Sequence, residues 1–155
     1  MCGHARVREN AKIYDRVKVM NKADVYGDVY IYDDVKVRDS AWVYGVTEIH
    51  GTVSIEDSSE VRNCFISGDN IDIIGNAVIN KDIDNEDNYI TIGPIGSRDD
   101  ITTFINTDEG IYVNCGCFSD TIEEFRNEVI KKHRDNRHAK DYLAAIEFVT
   151  KKFNS

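Results

Sequence analysis

No stretch of this chain approaches the roughly eighteen consecutive apolar residues that a membrane-spanning helix needs, which excludes a helical anchor within it. Nothing near the N-terminus reads as a signal peptide, because charge begins at His4-Ala5-Arg6 and no apolar block follows. Cysteine is scarce and scattered, at Cys2, Cys64, Cys115 and Cys117. A secreted disulfide scaffold is denser in cysteine, so the expected setting is a reducing cytosol. Proline occurs once, at Pro94. Positive charge is also short, and the formal net charge is −9. Residues 1–81 carry ten Lys and Arg against thirteen Asp and Glu, and residues 82–155 carry nine against fifteen. Neither half has the basic footprint on which nonspecific nucleic-acid binding depends. A small anion is a different matter, because one arginine and a few backbone N–H groups can hold it on an acidic protein.

What the chain does have is a period of six. Cut from His4, it gives thirteen consecutive units, from HARVRE and NAKIYD through CFISGD and NIDIIG to NAVINK. The fourth position reads Val7, Ile13, Val19, Val25, Ile31, Val37, Val43, Ile49, Ile55, Val61, Ser67, Ile73 and Ile79, so Ser67 is the single exception to Val or Ile. The second position is small or β-branched, as in Ala5, Ala11, Val17, Ala23, Val29, Val35, Ala41, Thr47 and Val53. The sixth is a turn residue: Asp15, Asn21, Gly27, Asp33, Asp39, Gly45, Gly51, Asp57, Asn63, Asp69 and Gly75. Alternate residues of a strand share a face, so positions two and four point the same way. Asp, Asn or Gly then tolerates the left-handed corner. Three such edges close an eighteen-residue coil, and a fixed short period of this kind is the signature of a solenoid.

This pattern resembles the hexapeptide-repeat, left-handed β-helix family. The resemblance implies a left-handed parallel β-helix of about four coils over residues 1–81, and trimers with parallel helix axes. An acidic linker is expected over residues 82–88 and a small α+β module over residues 89–155. In that module Tyr89–Ile92, Ile101–Ile105 and Ile111–Phe118 read as three strands, with turns at Gly93–Ser97 and Asn106–Gly110. Two helices follow. Ser119 or Asp120 can cap the first, whose stripe is Ile122, Phe125, Val129 and Ile130. Asp135-Asn136 separates it from the second, with stripe Ala139, Tyr142, Ile146, Val149 and Phe153 backed by Leu143.

The stretch from Ile92 to Phe104, then Cys115-Gly-Cys-Phe118, Glu124-Phe125 and Tyr142-Leu-Ala-Ala-Ile146, resembles the C-terminal tail of a family found mostly in bacteriophages and prophages. Members of that family join a hexapeptide-repeat region to this tail. The resemblance implies a viral origin and a host bacterial cytosol, and no chemistry.

The candidate ligand site is Gly96, Ser97, Arg98, Asp99, Asp100, Thr102 and Thr103. Gly96-Ser97-Arg98 offers backbone donors, a hydroxyl and a bidentate guanidinium for a phosphate or carboxylate. Asp99 and Asp100 can accept from ribose hydroxyls or base edges. The plainer alternative is a turn in which Arg98 pairs with a local aspartate. Cys115-Gly116-Cys117 invites a zinc reading with His133 and His138, but CxC is not the usual zinc spacing, and the two thiols are expected to continue the apolar row Ile111–Val113. No metal or cofactor is expected. Tyr14, Tyr32 and His50 recur at eighteen residues, as do Tyr26 and Tyr44, with Trp42 near Tyr44. These six are the expected trimer contacts.

Three functions follow. The first is a non-enzymatic protein that binds a small nucleotide-like anion and sequesters it as a host immune signal. The second is a module that binds and blocks a host protein with its acidic surface. The third is an acyltransferase of the hexapeptide-repeat type with His50 as general base, although no inserted loop walls off a site in the repeat.

Overall fold

In a computed structural model, which describes residues 2–155, the Val and Ile residues of the six-residue period stack into three columns. Met1, the first residue of the expected repeat region, lies outside the described residues. One column runs Val7, Val25, Val43, Val61, Ile79. The second runs Ile13, Ile31, Ile49, Ile66, Ile83, and the third Val19, Val37, Ile55, Ile73. Every pairing along them is parallel. The result is a parallel β-solenoid of about four coils, with the columns as its core. From Val25 onward these residues are essentially inaccessible to solvent. A fully buried Val or Ile stabilises by about 1.5–3 kcal/mol. The columns therefore hold the coils together far more than exposed ion pairs such as Arg16–Asp34 do.

The corners behave as their residue types require. Asp15, Asn21, Asp33, Asp39, Asp57 and Asn63 all have positive φ, as do Gly27, Gly45, Gly51 and Gly75. Short polar side chains tolerate this region and serve a second purpose here. The Asp15 carboxylate accepts from the N–H of Asp33, Asp33 from Gly51, and Asp57 from Gly75, so each of these three corners satisfies a donor in the next coil.

Ser67, the exception in the sequence, is explained by register. Ile66 takes the inward place beside Ile49, at a spacing of seventeen residues, and Asn70 with positive φ absorbs the missing residue before Ile71 pairs with Val53 at eighteen. Asp69, expected at that corner, is displaced by one position for the same reason. The column then continues to Ile83, which is fully buried and bridges Ile66. Residues 82–86, expected to form an acidic link, thus extend the solenoid. One apolar residue among so many acidic ones hid the pattern. The chain divides into two compact units, Met1–Glu86 and Asp87–Ser155.

The second unit has four antiparallel strands, one more than expected, in the order Tyr89–Ile95, Asp100–Thr107, Gly110–Cys115 and Phe118–Thr121. The predicted long third strand breaks at Gly116, whose φ of 60° lets the chain reverse so that Cys115 pairs with Phe118. The first strand runs through the cis Gly93–Pro94 bond, beyond its expected end, to Ile95 opposite Asp100. Helix α1 spans Ile122–His133 and helix α2 spans Arg137–Phe153. Thr121 caps α1 by accepting from the N–H of Glu124, not Ser119 or Asp120, because strand pairing keeps the chain extended as far as Thr121. Phe104 and Val113 of the sheet pack with Ile122, Phe125 and Val129 of α1 and with Tyr142, Ile146 and Val149 of α2. Ile130 falls off the stripe, eight residues past Ile122, and is exposed. No helix among the described residues is long and apolar enough to cross a membrane.

Candidate functional site

A cavity of about 180 Å³ opens in the second unit between the turn at Ser97, the Cys115–Phe118 hairpin and the two helices. Its walls include Ser97, Arg98, Cys117, Lys132, His133 and Tyr142. The Gly96 turn places the first two. Gly96 has φ of 77°, a conformation that favours glycine, and Tyr142 packs directly against it. Arg98 lies across Gly116, where a Cβ would meet its Nη1 at 2.6 Å. Its Nη2 donates to Cys117 Sγ at 3.8 Å. Among the described residues no carboxylate pairs with this guanidinium, so the local Arg98–aspartate pair considered from the sequence is absent.

Helix α1 supplies the opposite wall. Phe125, Val129 and His133 recur at four-residue spacing, so the buried stripe ends in an imidazole facing the cavity. The His133 ring lies 5.9 Å from that of Tyr142. Lys132 pairs with Glu128 at 3.6 Å, and Lys131, outside the cavity, reaches the same carboxylate at 3.3 Å, so the lining holds two cations, Arg98 and Lys132, against the one carboxylate of Glu128. The C-terminal end of α1 opposes an anion with its exposed carbonyls, an effect of about 0.3–1 kcal/mol. A charge-assisted hydrogen bond is worth about 1.5–3 kcal/mol, so the cations prevail.

The floor is quieter chemically. Thr102 Oγ1 donates to Cys115 Sγ at 3.4 Å, and Cys115 Sγ lies 3.7 Å from the Tyr142 hydroxyl. Burial pushes the Tyr142 phenol up to about 12, and Cys115 adds to the rise, so Tyr142 stays neutral around pH 7.

Of the seven residues expected to bind ligand, Ser97 and Arg98 line the cavity and Gly96 supports it. Thr102 and Thr103 are buried within the second strand, Thr102 touching the floor only through Cys115. Asp99 has positive φ in the turn, and Asp100 accepts from the N–H of Ile101, so neither faces the cavity. The two thiols do not share one apolar row as expected: Cys117 is exposed and Cys115 half-buried, because the hairpin turns between them. Lys132 was missed from the sequence, and His133 was considered only as a zinc partner of Cys115 and Cys117, not as part of an anion site. The one available signal was a histidine continuing the Phe125–Val129 spacing. Among the described residues no group of three His, Cys, Asp or Glu side chains is arranged to hold a metal ion.

On the solenoid, Tyr26 stacks on Tyr44 at 5.1 Å and Tyr32 on His50 at 4.8 Å, as the eighteen-residue spacing implies. His50 also meets Phe65 edge-on, and its Nδ1 lies 3.8 Å from Asp33 Oδ2. Tyr14 and Trp42 are each about half exposed. No family model matches this chain, and no curated protein or solved structure matches it significantly.

Proposed function

We propose that the second unit binds a small anionic, nucleotide-like ligand in the cavity beside Arg98, and that the solenoid is a stalk on which copies of the chain associate. The observation that carries the reading is Arg98 itself. Its guanidinium stands on a cavity wall with a thiol as its polar partner and no carboxylate partner among the described residues. A fork of donors left in that state suits a phosphate or carboxylate. Arg98→Gln removes the charge and should lower affinity for such an anion by about tenfold or more. Arg98→Lys should recover only part of it, since a point charge cannot replace a bidentate fork. Titration calorimetry on the full chain reads both, and unchanged affinity in Arg98→Gln overturns the reading.

The proposed role is capture without turnover, in line with the phage-type resemblance of the tail, where the ligand would be a host immune signal. For the stalk we propose the left-handed coil and three-fold association of the family that the repeat resembles. Tyr14, Tyr26, Tyr32, Tyr44, Trp42 and His50 are the contacts. The support for this is that Tyr14 and Trp42 present large half-exposed rings on the solenoid surface. Sedimentation equilibrium tests it, and a monomer overturns it.

A further inference from the structure

We infer that the cavity takes an aromatic anion, a single ring bearing a phosphate or carboxylate, seated ring first with the charge at the rim. This rests on the reading of Arg98 as the anion holder and adds the body and orientation of the ligand.

The cavity is sorted by depth. Phe125 and Val129 of the α1 wall and Tyr142 are almost fully buried and, with Cys115, make its inner end, while Phe118, Glu128 and His133 are partly buried between that floor and the rim. Ser97, Arg98, Cys117 and Lys132 are exposed and make its rim. An anion driven to the floor would leave water and the two cations for apolar rings and a neutral phenol, an unfavourable exchange. It therefore stays at the rim, and the floor is left for an apolar body. The volume limits that body. An apolar cavity of about 150 Å³ holds one benzene, whereas pockets for drug-sized molecules run from about 300 Å³ upward. At about 180 Å³ this cavity admits one ring and leaves the remainder of a larger ligand outside.

The wall geometry favours an aromatic ring over a saturated one. Phe125 meets Tyr142 edge to face, at 5.4 Å and 81°, and meets Phe118 tilted at 5.2 Å and 48°. This cluster presents both edges and faces to an entering ring, the arrangement in which aromatic pairs gain beyond buried area. Arg98 above the opening can also lie over the ring face.

The test titrates the full chain with phenyl phosphate, inorganic phosphate and benzyl alcohol. Phenyl phosphate should bind at least about tenfold more tightly than either of the others, since each of those lacks one of the two contacts. Phe118→Leu should weaken phenyl phosphate severalfold and leave inorganic phosphate unchanged, with the helical circular dichroism confirming that the unit is folded. If inorganic phosphate binds as tightly as phenyl phosphate, the ring is not read: this inference fails and the anion site stands. If benzyl alcohol binds as tightly, the charge is not read and both fail. Absence of binding by all three overturns both as well.

Discussion

Gly96 leaves the space that Tyr142 fills. A Cβ on Gly96 would fall 1.9 Å from Cζ and 2.0 Å from the hydroxyl oxygen of Tyr142. The turn carrying Ser97 and Arg98 is thus fixed against helix α2 by the absence of one side chain. Gly96→Ala meets two costs, the left-handed φ at about 1–2 kcal/mol and overpacking at about 1–3 kcal/mol. It should destabilise the second unit by about 2–5 kcal/mol, read from the helical circular dichroism in urea. A loss of only about 1–2 kcal/mol, the left-handed φ cost alone, would mean that Tyr142 swings clear without cost.

Tyr142 also sets a pH limit. Its phenol titrates at about 12 in the folded unit, against about 10 in an unfolded chain. As pH rises past 10 the unfolded chain loses the proton while the folded one keeps it. Stability supplied by the buried neutral phenol is therefore complete below pH 10 and lost as pH rises to about 12. Urea midpoints followed by the helical signal from pH 9 to 12 should fall more steeply for the unaltered chain than for Tyr142→Phe. Tyr32, raised to about 12 chiefly by its hydrogen bond to Glu48, belongs to the solenoid and should leave that difference unaffected.

The thiols should separate by reactivity. Burial, with the charge of Asp82 adding to it, pushes Cys64 up to about 12, whereas Cys117 is exposed. In a Cys2→Ser background at pH 8, a maleimide should label Cys117 first and Cys64 only as the solenoid opens. Peptide mapping over time gives the order, and early labelling of Cys64 would contradict its place in the core.

The solenoid has its own reporter, because Trp42 is the only tryptophan and lies in that unit. Ile49 is fully buried between Ile31 and Ile66. Ile49→Ala should lower stability by about 2–5 kcal/mol in urea followed by Trp42 fluorescence. Arg16→Met removes the exposed pair with Asp34 and should leave the midpoint within error.

Register offers a sharper test. Deleting Asn70 removes the residue that restores the eighteen-residue spacing after Ile66, and should unfold the later coils. Moving that residue to a position between Asn63 and Cys64 should restore the Trp42 transition, because every edge then has six residues. Failure of the double change would show that the slip at Ile66 is required for the fold.

The solenoid was legible because each edge repeats the same local rule, so thirteen weak signals add. Within those units it was misread only at CFISGD, where counting in sixes assigned the core place to Ser67, although Ile66 is next to it and apolar; Ile73 and Ile79 beyond it are where the count puts them. Ile83 was lost among carboxylates. In the second unit, Gly96-Ser97-Arg98 could be read because the donors are consecutive. That Lys132, His133 and Tyr142 join them could not, since they reach the same cavity from two helices that only tertiary packing brings to the turn. Gly116 was read as part of a strand. The signal for a hairpin there was one glycine between two cysteines, too little to outweigh the apolar run.

The slip at Ile66 and its repair at Asn70 bear on how such a chain can change over generations. Loss of one amino acid would turn every later aliphatic out to water, yet here the loss is confined to one edge by a gain a few residues on. Length in this architecture is inherited like a reading frame. Single steps are lethal to the coil and matched steps are silent, so the Ile66–Asn70 segment is a place where the frame is lost and regained within one edge.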